Sequence, residues 1–245
     1  MGLTTQSTVL EQDFRVVSST QQGRLGDEAQ TSDGRRFRYA QAGSGAALAP
    51  GKMNDGSTIV ANHANITGGT AAAVGATSVT ITLGATAATE NQYAGGMVFS
   101  NSTSTGQGVG YRIRAHAAIA SSGTGVFYLD EPIVVAWTAT TKVTLFPALY
   151  ANGVITPSAA TAGGPPIGVF TGSSLTASNF GWLQVSGPAP LLSDATVFTL
   201  GEEVSQAASG VAGSGSLKVA TFPTYGIAMQ LGVSAEFKLV DLTLN

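Results

Sequence analysis

An antiparallel all-β fold, of sandwich or barrel type with little helix, is predicted by three observations. Strand-length runs of β-branched and aromatic residues recur along the whole chain. Clusters of Gly, Ser, Thr and Asn cut these runs apart at short intervals. No stretch keeps apolar residues at a helical period for long enough to make an amphipathic helix.

Residues 1–23 are polar and rich in Gln, Thr and Ser, with one apolar cluster at Phe14, Val16 and Val17. So little apolar area does not offset the backbone entropy of folding alone, and the segment reads as an extended N-terminal arm. It is either a floppy terminus or an arm that orders on a neighbouring subunit, with Phe14, Arg15, Val16 and Val17 as a strand-sized anchor. Removing residues 1–23 is then expected to leave the body folded. Residues 24–52 read as a charged hairpin and linker. Asp33-Gly34 is a hairpin dipeptide, and Arg36 and Arg38 alternate with Phe37 and Tyr39 as on a strand. Six of the eleven Lys and Arg residues (Arg15, Arg24, Arg35, Arg36, Arg38 and Lys52) fall in the first 52 positions. The run GSGAALAPGK lacks the spacing and the hydroxyl of a phosphate loop; within it, 46–49 reads as a helical turn.

Residues 53–156 read as the main β-rich domain, with strands at 78–83, 97–100, 110–119, 125–130, 133–137 and 143–146. Residues 85–92 are the best short-helix candidate. In 111–116, Tyr111, Ile113 and Ala115 share one face while Arg112, Arg114 and His116 share the other, which puts His116 in solvent. TPSAATAGGPP, with adjacent glycines and adjacent prolines, marks 157–166 as a linker. Residues 167–245 then form a C-terminal β-rich module with strands at 167–170, 180–186, 197–200, 217–221, 226–231 and 235–244. In the last of these, Phe237 and Leu239 face one way and Val240, Leu242 and Leu244 the other. A bulge, or burial on both faces, is the expected explanation.

Charge narrows the function. Only 10% of the 245 residues are Asp, Glu, Lys or Arg, against roughly 25% in an average domain. Such a surface suits a protein packed against copies of itself or a lattice. A net charge of −3 speaks against a nucleic-acid partner. There is no cysteine, hence no disulfide framework or thiolate chemistry. The opening residues lack a secretion signal and no run is apolar enough to span a membrane, so a soluble protein with no membrane partner is expected. His63 and His116 have no carboxylate at ligand spacing, and both read as surface histidines. The doublets Asp27-Glu28, Asp130-Glu131 and Glu202-Glu203 place their acids on opposite strand faces, a poor geometry for a converging pair. No cofactor, metal or catalytic residue is expected. Trp182 reads as a core or subunit-interface aromatic.

Three stretches carry a family likeness: DGRRFRYAQAGSGAALAPGK, ENQYAGGMVFSNSTSTGQGVGYRIRAHAAI and FGWLQVSGPAPLLSDATVFTLGEEV. In their order and spacing the chain resembles the decoration or cement proteins of tailed-bacteriophage capsids. The resemblance implies a non-catalytic virion protein that binds the major capsid protein from outside. It also implies a homo-oligomer, with a trimer favoured. On that reading Phe14, Arg15, Val16, Val17, Arg35, Arg36, Arg38 and Tyr39 contact the capsid, and Trp182 contacts a second subunit. The alternative is a host-binding head-fibre or tail component that recognises cell-surface glycans through exposed loops such as 100–110.

Overall fold

The computed structural model describes residues 13–45, 47–67, 71–158, 163–194, 198–231 and 235–244. Over these residues the chain is built from sixteen strands and a single 3-10 turn, with no α-helix. The strands β1 Glu28–Gln30, β2 Arg36–Gln41 and β3 Lys52–Asp55 come first. They are followed by β4 Ile66–Thr67, β5 Ser78–Thr82, β6 Met97–Ser100, β7 Gly110–His116, β8 Thr124–Leu129 and β9 Lys142–Phe146. The last seven are β10 Val154–Ile155, β11 Pro166–Phe170, β12 Phe180–Leu192, β13 Glu203–Gln206, β14 Gly215–Leu217, β15 Thr224–Ala228 and β16 Phe237–Thr243. Two curled antiparallel sheets result, in two compact units. One unit is Thr58–Leu149 and the other combines Met1–Ser57 with Tyr150–Asn245. The segments 24–52 and 167–245, separate pieces in the sequence reading, therefore share a unit. Part of 157–166 lies outside the described residues, and Pro166 already opens β11.

The smaller unit is a six-stranded sheet in the order β4-β9-β6-β7-β8-β5, curled until β4 and β5 touch. Alternation along its strands turns Ile81, Ile113, Phe127, Val143 and Leu145 inward around Tyr93, as the period of two requires. β7 departs from that period. Its pairing with β8 runs from Ile113↔Leu129 to Ala115↔Tyr128, leaving Arg114 as an extra residue. Such a bulge reverses the facing of everything after it, so His116 is buried, not solvated as the unbroken alternation predicts. The helix expected at 85–92 is absent. Ala88 instead exchanges both backbone hydrogen bonds with Ile119, and so short a helix could not match a ladder contact that also buries its side chain. No strand forms at 133–137 either. Ile133 and Trp137 donate their N–H groups to Ala76 and Ala72, at 2.8 and 2.9 Å, as isolated links.

The larger unit is organised on β12, thirteen residues long, where the sequence predicts seven. Its first half pairs with β2 (Trp182↔Tyr39, Gln184↔Phe37) and its second with β16 (Ala189↔Val240, Leu191↔Lys238). Ser186 pairs with both Arg36 and Thr243 and marks the handover. The strand survives Pro188 and Pro190 because of where their nitrogens point. Leu192, on the same parity, donates to Gly51 at 2.8 Å, away from β16. The missing N–H groups thus fall on the edge that the β16 ladder does not use.

The bend at 184–188 is held by a side chain. Gln184, fully buried, directs Nε2 at the carbonyls of Ser186, Gly187 and Pro188, at 3.2, 3.1 and 2.9 Å. Gly187 supplies the positive φ of 84° that the turn of the chain needs. Replacing Gln184 with alanine is expected to destabilise this unit by about 1–3 kcal/mol, the cost of removing a buried side chain and leaving three partly buried carbonyls without its amide. Chemical denaturation followed at Trp182 checks this; an unchanged midpoint would mean that water replaces the amide without loss.

On the other strands, several sequence boundaries move. The strands expected at 217–221 and 226–231 lie a few residues earlier, as β14 and β15. No strand covers the described part of 197–200; Phe198 is instead a core residue beside Met53, Val169 and Tyr225. Of the helical turn at 46–49, Ala46 is outside the described residues, and Leu48 is tied to Leu175 by two backbone hydrogen bonds. β16 carries no register change. Lys238, Val240 and Leu242 face inward in strict alternation, and Phe237 and Leu239 face solvent.

Candidate functional site

The outward face of β12, β16 and β15 is the feature that the core does not account for. Register aligns its residues in rows. Pro188, Asp241, Ile227 and Glu203 lie across the sheet in one row. Pro190 pairs with Leu239, and Met229 donates to the Leu239 carbonyl at 3.0 Å, which makes the next row. Leu192 and Phe237 form the third. Phe237 is 55% exposed, Met229 44%, Ile227 41% and Leu239 38%. Single exposed apolar residues are ordinary, but several in contiguous register rows mark a surface built to be covered. Carboxylates sit at one end of the face, on Asp241 and Glu203, and prolines line its β12 edge.

The N-terminal corner of the same unit carries an exposed cation, Arg15. Asp13–Arg15 is a 3-10 turn, not the first part of a strand. It drives Phe14 onto Phe37 in a stacked contact with centroids 3.9 Å apart, and edge-on to Trp182 at 5.7 Å. Tyr39 completes the group, 5.1 Å from Trp182, and its hydroxyl accepts the Gln22 N–H at 2.9 Å. Ser18 then closes two backbone hydrogen bonds with Phe180. Residues 13–22 are thus laid along their own body, with Phe14 buried and Arg15, Val16 and Val17 exposed.

The structure places the remaining sequence candidates as follows. Arg35 pairs with Asp33 at 2.8 Å and lies over the Phe37 ring. The hydrogen bond from Thr31, ahead of the contacts with Arg35, holds the Asp33 carboxyl below its usual range. Arg38 pairs with Glu28 at 2.8 Å and donates to the Gly26 carbonyl. Arg36 is half-buried at the end of β2 and Tyr39 is buried. Trp182 is half-buried on the Phe14 cluster.

Two buried polar groups escaped the sequence reading. In the smaller unit, His63 and His116 flank Tyr93. His63 Nε2 donates to the Thr86 carbonyl at 2.8 Å, leaving Nδ1 to accept the Tyr93 hydroxyl. His116 Nδ1 donates to the Ala117 carbonyl at 2.8 Å, leaving Nε2 to accept the Tyr93 N–H at 3.0 Å. Burial lowers the His116 pKa, against a smaller opposing pull from the Ala117 carbonyl, and raises that of Tyr93. In the larger unit, Asp55 Oδ1 accepts from Thr156 at 2.8 Å and from Tyr225 at 3.1 Å, and Oδ2 faces the backbone of Gly163. Burial raises the Asp55 carboxyl despite those hydrogen bonds, and the Tyr225 phenol is pushed well up by burial and then by the Asp55 charge. Every ring nitrogen of the two histidines is satisfied within the fold, which is the arrangement of a structural pin. Among the described residues no cluster of His, Cys, Asp and Glu is placed to hold a metal, and no helix is long and apolar enough to cross a membrane.

Comparison of the chain with family models, with curated proteins and with solved structures found no match to any of them.

Proposed function

We propose that this chain is a structural virion protein, one that binds the outside of the major capsid lattice of a tailed-phage head and stabilises it. It acts as a homo-oligomer, with a trimer favoured, made in the host cytoplasm and carried on the virion surface. It works by covering surface, without catalysis. The observation that carries this reading is the uncovered apolar face of β12, β16 and β15 on a chain with only 10% charged residues. A protein that stays alone in solution covers itself with charge; one that ends in an assembly can leave apolar rows to be buried there. The two curled sheets supply rigid bodies for such a surface, since strand-borne side chains are held more firmly than those on loops.

The test is co-sedimentation of the purified chain with DNA-free heads of its own phage, followed by electron cryomicroscopy of the pellet. Saturable binding at symmetry-related sites on the outer surface is expected. No binding to heads, or binding to glycans in its place, would remove the proposal.

A further inference from the structure

We infer that the outward face of β12, β16 and β15 is the socket for the N-terminal turn Arg15-Val16-Val17 of a second copy, in a head-to-tail contact. The inference rests on the reading above, which supplies many copies of the chain, and it names the occupant of the face.

Charge is uneven within the larger unit. Residues 167–245 carry five acids (Asp194, Glu202, Glu203, Glu236, Asp241) and two bases (Lys218, Lys238). Lys238 points inward and pairs with Glu236 at 2.6 Å. Lys218 is hydrogen-bonded to Thr224, whose hydroxyl donates to Glu203 at 3.1 Å, so its charge offsets that carboxylate. Asp241 therefore borders the apolar rows with no ion pair among the described residues. The N-terminal corner, with five bases to four acids over 13–41, is close to balanced, and two of those bases, Arg35 and Arg38, are taken up by Asp33 and Glu28. Arg15 has no ion pair among the described residues, and the two valines after it are 62% and 37% exposed.

An apolar knob flanked by a cation thus exists on the same unit as an apolar face flanked by an anion. Phe14, buried at the root of the knob, fixes its position before any partner arrives, which lowers the ordering cost of docking. Complementary charge sets register and rejects wrong partners. A two-fold contact of the face with itself is disfavoured by the same anion. It would set Asp241 against its own copy, or press it onto Phe237 and Leu192 without a counter-ion. Knob and socket are different surfaces, so the contact is heterologous, and copies joined this way close into a ring or extend into a filament.

Sedimentation velocity of the purified full chain, across concentration and salt, tests the contact. Concentration-dependent association that weakens with salt is expected. Met229→Glu in the socket, or Val16→Asp on the knob, should each weaken it at least about tenfold, with circular dichroism and Trp182 fluorescence confirming the fold. Arg15→Glu and Asp241→Arg should each weaken it, and the double variant should recover most of the loss, the signature of a direct pair. A chain that stays single at every concentration would overturn the proposal. So would association that responds to Met229→Glu but to neither Val16→Asp nor Arg15→Glu, because the face would then be meeting its own copy. Head binding is read separately. Rings that ignore heads would remove the virion reading and leave this contact standing; single copies that bind heads would do the reverse.

Discussion

Replacing Phe14 with alanine is expected to lower the stability of the larger unit by about 3–5 kcal/mol, the range for deleting a buried aromatic. The ring is stacked on Phe37 and edge-on to Trp182, and among the described residues it is the one large apolar side chain from outside β2 and β12 in that cluster. Its loss leaves a cavity between rigid strands, which collapse around it only in part. The chain has two tryptophans, Trp137 in the smaller unit and Trp182 in the larger. Denaturation of Phe14→Ala in a Trp137→Phe background therefore reports on this unit alone. A midpoint equal to that of the parent would mean that the N-terminal turn is a passive attachment. The same geometry changes the expectation for removing residues 1–23. That deletion takes away the Phe14 lid and the Ser18 links to Phe180 together, so a weakened body is expected, and loss of binding by such a variant would not isolate a role in docking.

Much of this architecture was legible from side-chain alternation, and the misreadings share a cause. Where a strand is regular and one of its faces is buried, as in β5 and β2, the pattern of two locates it directly. Alternation carries no mark for a bulge. One extra residue at Arg114 inverted His116, and nothing in YRIRAH distinguishes that from an unbroken strand. At β16 the error ran the other way. The apolar residues on both faces of 235–244 suggest a bulge or burial on both sides, because large apolar residues are assumed to be inside, whereas the strand is regular and Phe237 and Leu239 are outside. The candidate surface was thus visible in the sequence as an anomaly before it was visible as a face. Gln184 could not have been found, because its role depends on three carbonyls brought together by a bend that only the fold creates. The length of β12 was hidden by Pro188 and Pro190, whose tolerance depends on which edge their nitrogens face.

Acidification from about pH 7.5 to about pH 5 is expected to weaken the smaller unit and to spare the larger one. The His116 imidazole is held neutral by burial, and its Nε2 accepts the Tyr93 N–H. A proton on His116 would turn an acceptor toward a backbone donor, at a cost on the order of 1–3 kcal/mol or more for a charged group. The folded His116 pKa lies below the ordinary 6.5, so the unfolded chain binds more protons as pH falls through that value and stability drops. Glu90 is the one charge that offsets this, and its pull is the smallest of the three influences on the ring. Asp55 in the larger unit has the opposite sign. Its carboxyl is raised above 3.8, so its contribution is lost as pH rises and regained as pH falls. Unfolding curves read at Trp137 in a Trp182→Phe chain should shift to lower denaturant at the acid end, while curves read at Trp182 in a Trp137→Phe chain should not. A His116→Gln chain, whose amide oxygen can accept the same N–H without titrating, should flatten the first curve. Parallel responses at the two tryptophans would instead place the acid sensitivity in groups common to both sheets, and His116 would have no special part in it.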